Sequence, residues 1–420
     1  MPIFYFTLPP MNTNALQVLH VLHKIQVTTG RRVIAITPWP FWPADTAKEK
    51  FFNSFVRGLT PGIRYVWIPK RVQRFLQWTV ETAARLLQTY GTIYMPVGVN
   101  STIRYLSPST LDHTDILNDG ARVSFRTPSY HEDDMDSRLR DLGIPHDAWF
   151  VCAHAREHGW LTQINAYDLK IPANYQHEQE DHRNVDIEDY LPAIDYITGM
   201  GGLVVRMGDP SMKPMNGVPG VIDYPFTEHK SMPMDLHLVS RCRFVLGCNS
   251  GFSGSFPHPF DTPLLITNAA PIVNSARFPY SNTLFLFNDI LKKDSGRRLG
   301  LPEMFTPEIL TANQIIQFDS LGYKWGSNTP EEILEATKEM LQLVEANGFN
   351  SPRTPEQDLF HSYRLEAIDS LWSRSDQKGD SRYAKLRTSE SRISATFASR
   401  HFAGDKPEPM DAGVPTSQRA

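Results

Sequence analysis

The chain has 420 residues, of which 41% are hydrophobic and 21% charged, with a formal net charge of -4 at pH 7. That length exceeds what one hydrophobic core usually supports, so two domains with extra segments are expected. The near-neutral balance excludes the strong basic footprint of a nucleic-acid binder or of a protein drawn to anionic membranes, and leaves only local anion sites open.

No apolar run approaches the roughly 20 residues that span a bilayer, and residues 1–10 lack the charged start and cleavage pattern of a signal peptide. A cytoplasmic protein with no integral membrane segment is expected. Cys152, Cys242 and Cys248 are odd in number and form no C-x-x-C pair, which predicts buried free thiols rather than a disulfide framework or a structural zinc site.

Residues 3–7 read as a strand, ended by Pro9 and Pro10. Behind Asn14 as N-cap, Leu16, Leu19, Leu22 and Ile25 recur at helical spacing. The alternation continues with strand 33–37, helix 46–58, strand 63–68, helix 72–89 and strand 92–97. Strands alternating with helices predict a parallel sheet covered on both faces. Residues 100–147 are less regular, with a polar helix over 131–141 closed by Gly143 and Pro145. The boundary between an N-terminal α/β domain (1–145, the acceptor side) and a C-terminal one (146–350) is placed here.

The second domain opens with a strand over 149–156 that ends in His154 and Arg156, with Glu157 next. A polar insertion over 167–182 follows. Asp186 then heads a capping signal for a helix whose buried face is Ile187, Tyr190, Leu191, Ile194 and Ile197. Strand 203–207 stops at Gly208-Asp209-Pro210-Ser211, and a short strand (221–223) and a helical stretch (234–240) come next. Strands 263–267 and 284–287 precede a helix opened by Asn328-Thr329-Pro330-Glu331-Glu332. A further helix is expected within 351–374, and the Ser-, Arg- and Asp-rich tail 375–420 is expected to be mostly disordered.

The densest run of small hydrogen-bonding residues is 241–254, Arg-Cys-Arg-Phe-Val-Leu-Gly-Cys-Asn-Ser-Gly-Phe-Ser-Gly. A strand over 244–246 empties into a turn holding Gly247, Asn249, Ser250, Gly251, Phe252, Ser253 and Gly254. If a helix begins near Ser250, its unpaired N–H groups and positive dipole end make an anion site suited to phosphate; an ordinary strand-to-helix turn is the plain alternative. The spacing matches neither the dinucleotide nor the P-loop fingerprint.

Ligands of open α/β sheets gather at the carboxyl ends of strands. There the predicted order brings together His154-Ala-Arg156-Glu157, Gly208-Asp209-Pro210-Ser211 and the glycine and serine loop. Arg156 offers a planar fork for phosphate, the loop offers donors, and Asp209 suits the hydroxyl or amino edge of a nucleoside. Scaffold roles compete: a hydrogen-bonded His154, an Arg156 paired with Glu157 or Asp186, and a bare turn at Gly208-Asp209-Pro210.

Residues 150–268 resemble a family of bacterial glycosyltransferases with the blocks H-x-R-[DE], R-N-x-D-I-x-x-Y-x-x-A-I, R-M-G-D-P-S-M-K-P, V-I-D-Y and C-R-F-x-L-G-x-x-S-G. Here these begin at His154, Arg183, Arg206, Val221 and Cys242. More distantly, the layout is similar to the fucosyltransferase-like GT-B enzymes, whose H-x-R strand end and serine-containing loop grip the diphosphate of a nucleotide sugar. The resemblance implies two Rossmann-like domains facing a cleft, and metal-independent transfer from a nucleotide sugar to an acceptor without a cofactor. Within that likeness a GDP-sugar is weakly preferred as donor. Catalytic roles fall on Arg156, His154 and Glu157. Donor contacts fall on Arg206, Gly208, Asp209, Pro210, Ser211, Asn249, Ser250, Gly251, Phe252 and Ser253, with Pro10, Asn12 and Asn14 reaching across the cleft. His113, Asp115, Glu157 and His158 are candidate bases. Glu157 stands where aspartate is commoner, the insertion 163–181 is long, and the first 140 residues carry no signature, so the acceptor and the oligomeric state are not legible. A non-catalytic nucleotide-sugar-binding module and a nucleotide-sugar epimerase are the competing readings.

Overall fold

A computed structural model of the chain describes residues 3–6, 13–30, 32–37, 54–67, 122–157, 159, 181–215, 217–270, 280–312, 314–373 and 390–405, with a few isolated positions between 69 and 79. Pro10, Asn12, His113, Asp115, His158, most of the insertion, the strand expected at 92–97 and most of the helices expected at 46–58 and 72–89 lie outside the described residues.

The first unit is a parallel sheet of β1 (Ile3–Phe6), β2 (Val33–Thr37) and β3 (Ile63–Trp67), in that order. Parallel neighbours need a crossover, and α1 (Thr13–Thr29) supplies it between β1 and β2. The helix starts at Thr13, so Asn14 lies inside its first turn rather than capping it. Leu16, Leu19, Leu22 and Ile25 are buried as their spacing requires; His20, His23 and Lys24 are buried too, because more than one face of the helix is covered.

The second unit is a seven-stranded sheet, parallel throughout. After α2 (Ser129–Asp141) come β4 (Phe150–His154), α3 (Leu191–Gly199), β5 (Leu203–Arg206), β6 (Val221–Asp223), α4 (Met232–Arg241), β7 (Val245–Cys248), α5 (Gly251–Ser255), β8 (Leu264–Ala269) and β9 (Thr283–Phe287). An antiparallel pair follows, β10 (Ile290–Lys292) with β11 (Tyr323–Trp325), then α6 (Pro330–Glu345), α7 (Pro355–Ser373), β12 (Arg392–Ile393) and α8 (Ala395–Phe402). The sheet order is β12-β9-β8-β7-β4-β5-β6. Counted from β4, this is the doubly wound order, with winding that reverses between β4 and β7. Both central strands are buried at every residue, which explains their unbroken apolar runs.

Local signals set the helix starts. Asp186 accepts from the Glu188 N–H at 3.0 Å. At α6, Thr329 Oγ1 accepts from the Glu332 N–H at 3.2 Å while the Glu332 carboxylate accepts from the Thr329 N–H at 2.9 Å, a reciprocal capping box.

Within the tail expected to be mostly disordered, residues 390–405 form an ordered segment. β12 adds in parallel to the edge of β9, with Ile393 opposite Phe285. The Glu339 carboxylate of α6 accepts from Ser394 Oγ at 2.6 Å and from the Ala395 N–H at 2.9 Å, and so receives the start of α8. Composition hid this segment because its apolar residues are few, yet Ile393, Phe397, Ala398 and Phe402 sit at spacings that bury all four.

The two units touch. α1 packs against α5 and against residues 258–260, and Phe125 stands between α1 and the latter, its ring 5.4 Å from His20 and 5.8 Å from Phe260. α2 bridges as well: His131 lies 5.7 Å from Phe55, and the helix packs on α4.

Candidate functional site at the reversal of the sheet

The reversal point places the carboxyl ends of β5, β4 and β7 side by side, with Ala153 opposite Arg206 and His154 opposite Gly247. His154 is 8% exposed. Its Nδ1–H donates to the Met207 carbonyl at 3.2 Å, which leaves Nε2 as an acceptor. Burial pushes its pKa down to about 4, against the opposing pull of the Met207 bond and the Asp209 charge, so the ring is neutral at pH 7. The Phe252 ring lies 4.9 Å away.

Arg156 is buried two residues further on. Its N–H donates to Cys248 Sγ at 3.2 Å and its carbonyl accepts from the Val185 N–H at 3.0 Å, which pins this segment to the end of β7. The charges of Arg156 and Arg183 both act on the Cys248 thiol, although burial still pushes that thiol up. Arg183 Nε donates to the Asn249 carbonyl at 3.0 Å. Arg183, which heads one of the sequence blocks, carries no site role in the sequence reading. Its signal was its place at the head of the capping block, 27 residues from Arg156 in sequence but brought back to the same strand end by the fold.

Glu157 and Arg206, expected to contact the ligand, form a scaffold instead. Arg206 is fully buried and donates to Glu157 at 2.6 Å, to Asp223 at 3.2 Å and to the Lys213 carbonyl at 2.5 Å. The second oxygen of each carboxylate accepts a backbone N–H, Glu157 from Lys213 at 2.9 Å and Asp223 from Met215 at 2.7 Å. Charged residues from the ends of β4, β5 and β6 thus clamp the loop of residues 207–215. The Arg206 guanidinium has no exposure and is held by two carboxylates, and the Glu157 carboxylate is engaged by both an arginine and a backbone N–H.

Within the clamped loop, Asp209 Oδ1 accepts from the Ser211 N–H at 2.9 Å and from the Ser211 hydroxyl, a side-chain turn in which Pro210 is exposed. Gly208 has φ 149°, and a Cβ there would lie 2.0 Å from Met212 Sδ, so only glycine fits.

The glycine and serine loop is built differently. Ser250 Oγ caps α5 by accepting from the Ser253 N–H at 3.2 Å, and the Asn249 amide donates to the Ala270 carbonyl. Ser253 is fully buried against Gly247, where a Cβ would lie 2.2 Å from Ser253 Oγ. The hydroxyls expected to cradle an anion are therefore engaged within the turn, and a helix of five residues has little dipole to add. Among the described residues, the N–H groups of Gly251 and Phe252 have no partner. Also among the described residues, no group of three or more His, Cys, Asp or Glu side chains is placed to hold a metal ion, and no helix is long and apolar enough to cross a membrane.

The fold thus brings His154, Arg156, Arg183, Asp209 and the Gly251–Phe252 backbone to one edge, and assigns Glu157, Arg206, Asn249, Ser250 and Ser253 to its framework. No family model matches the chain, and no curated protein matches it. Among solved structures it is similar to a glycosyl transferase family 9 protein from Veillonella parvula, with 11% identity, a TM-score of 0.47, and coverage of 81% of this chain and 97% of that one. It is also similar to the E. coli ADP-heptose LPS heptosyltransferase II, with 11% identity, a TM-score of 0.42, and coverage of 82% of this chain and all of that one. At these identities and scores, what the site does has to be read from its own residues.

Proposed function

We propose that the chain is a glycosyltransferase that moves a sugar from a nucleotide-sugar donor to an acceptor. The observation that carries this reading is the position of Arg156 and Arg183: both act at the carboxyl end of β7, where the winding of the doubly wound sheet reverses and where such sheets take nucleotide ligands. Leaving-group departure puts growing negative charge on a diphosphate. Guanidiniums and the Gly251 and Phe252 N–H groups oppose that charge in a partly desolvated site and supply what a metal ion would otherwise bring. His154 keeps Nε2 as an acceptor at pH 7 and takes the acceptor proton; the charge of a bound diphosphate raises its pKa from the low resting value toward the working range. Asp209, set by the clamped loop, meets the hydroxyl or amino edge of the nucleoside. A GDP-sugar is the first donor to try, followed by UDP- and dTDP-sugars.

The test is Arg156→Ala assayed against that donor panel with candidate acceptors. Turnover is expected to vanish while the circular dichroism spectrum and thermal midpoint stay close to wild type; full transferase activity in the variant would sink the assignment. Donor binding without turnover across all acceptors would instead favour a non-catalytic binding module. Conversion of the donor sugar with no acceptor present would indicate an epimerase.

A further inference from the structure

The two units meet along a seam that is lined by histidines. From the first unit, His20 of α1 is buried, and its Nε2–H donates to the Val123 carbonyl at 2.6 Å. From the second, His258 is buried in the turn after α5, with its ring 5.2 Å from that of Tyr280. Phe125 fills the space between the two sides. Its ring lies 5.4 Å from His20, 5.6 Å from His23 and 5.8 Å from Phe260, and its N–H donates to the Pro259 carbonyl at 2.6 Å. The other bridge between the units carries a histidine as well, His131 of α2, whose ring lies 5.7 Å from Phe55 and whose Nε2 is 3.3 Å from Ser54 Oγ.

Such a seam holds while its rings are neutral, because a buried imidazolium is costly unless an anion meets it. The charges that act on these rings have the wrong sign. His23 and Lys24, buried on the same helix, oppose a proton on His20, and His20 opposes one on His258 across the seam. The other elements at the seam do not reverse this. α5 brings only glycine, phenylalanine and serine, and residues 122–128 bring Arg122 and Arg126. The turn after His258 brings Asp261, which Arg122 holds at 3.5 Å and Asn282 at 3.1 Å. At the second bridge, Asp134 favours the proton on His131, and burial outweighs it.

Burial lowers His20 to about 4 and His258 to about 3, from 6.5 in water. The closed seam therefore binds fewer protons than an open one. It is at full strength above about pH 6.5 and weakens as pH falls toward 4; each histidine that gains a proton on opening raises the ratio of open to closed molecules about tenfold per pH unit in that window.

We propose that this seam is an acid-released joint, in which protonation of His20 and His258 parts the two units and lifts α1 off α5 while the seven-stranded sheet stays folded. The sheet outlasts the seam because β4 and β7 are buried at every residue and bonded to neighbours on both sides, whereas the seam rests on one helix face, a short turn and one phenylalanine. The joint holds whether or not the chain transfers a sugar.

The test is hydrogen–deuterium exchange of the full chain, read by mass spectrometry at pH 7 and pH 5 and corrected for the intrinsic pH dependence of exchange. Peptides covering residues 122–128, whose Phe125 N–H is bonded across the seam, and residues 251–262 are expected to lose protection at pH 5 by about tenfold or more, while those from β4 and β7 keep theirs. His20→Gln keeps an N–H for the Val123 carbonyl but does not titrate, and it is expected to shrink that loss by about tenfold or more. His258→Gln makes the same comparison from the other side of the seam if His20→Gln does not fold. Equal protection of the seam at both pH values overturns the proposal. So does an equal loss in β4 and β7, which would mean that the whole chain unfolds, and so does an undiminished loss in a folded variant.

Discussion

The loops that follow β5 and β7 meet over His154, yet they are held by opposite means. Residues 207–215 are fixed by buried ions, with Arg206 between Glu157 and Asp223 and each carboxylate reaching a backbone N–H. Residues 249–253 carry no charged side chain of their own and are fixed by a serine cap, an asparagine amide and the fit of Ser253 against Gly247, with Arg183 donating to the Asn249 carbonyl. A buried charge is costly alone, and removing one member of this ion cluster strands the others, so the first loop stands or falls as a unit. Small neutral contacts fail one at a time. The difference teaches that charged residues at a strand end need not be chemistry, since Arg206, Glu157 and Asp223 hold one another and the loop beside them.

Breaking the ionic side should have the largest effect. Arg206→Met leaves Glu157 and Asp223 facing one another with no cation; an equilibrium urea titration should show a loss of about 3 to 5 kcal/mol. A loss below about 1 kcal/mol would mean that the clamp is not a unit.

His154 sharpens the comparison because it touches both loops, the first through the Met207 carbonyl and the second through Phe252. Its folded-state pKa, about 4, is below the unfolded value of about 6.5. The unfolded chain therefore takes up the proton first. The stability this group contributes is present above about pH 6.5 and is lost as pH falls toward 4, about 3 kcal/mol in all. His20 and His237, also pushed down to about 4 by burial, add in the same direction. Replacing His154 with Gln should make the slope of unfolding free energy against pH shallower by about 1.4 kcal/mol per pH unit between 6 and 4. An identical slope would show that His154 is not buried neutral.

The neutral loop should respond least. Ser250→Ala removes one cap, and about 1 kcal/mol of stability should go with it in thermal or urea unfolding. A loss as large as that of Arg206→Met would erase the distinction between the two loops.

The alternation of strands and helices, the extent of β2, the Asp186 and Thr329 caps and the apolar faces of α1 and α6 were all legible from residues a few positions apart. Periodicity and capping are local physics, set by 3.6 residues per turn and by orphan N–H groups within the first turn. The candidate site was legible only as a neighbourhood. His154, Arg156, Asp209 and the glycine and serine loop were gathered correctly at strand ends, because an α/β alternation already sends loops to one edge. Which of them face a ligand was not legible. Glu157, Arg206 and Asp223 become one clamp only because β4, β5 and β6 are neighbours in that order, and Arg183 reaches Asn249 only because the chain returns to the end of β7. The ordering of residues 390–405 likewise depends on an open edge at β9 and on the Glu339 carboxylate, both distant in sequence. Sequence by itself determined the elements and gathered His154, Arg156 and Asp209 at one edge of the sheet. Tertiary structure alone decided which charges were paired, because an ion pair depends on strand order and distance, which no local pattern encodes.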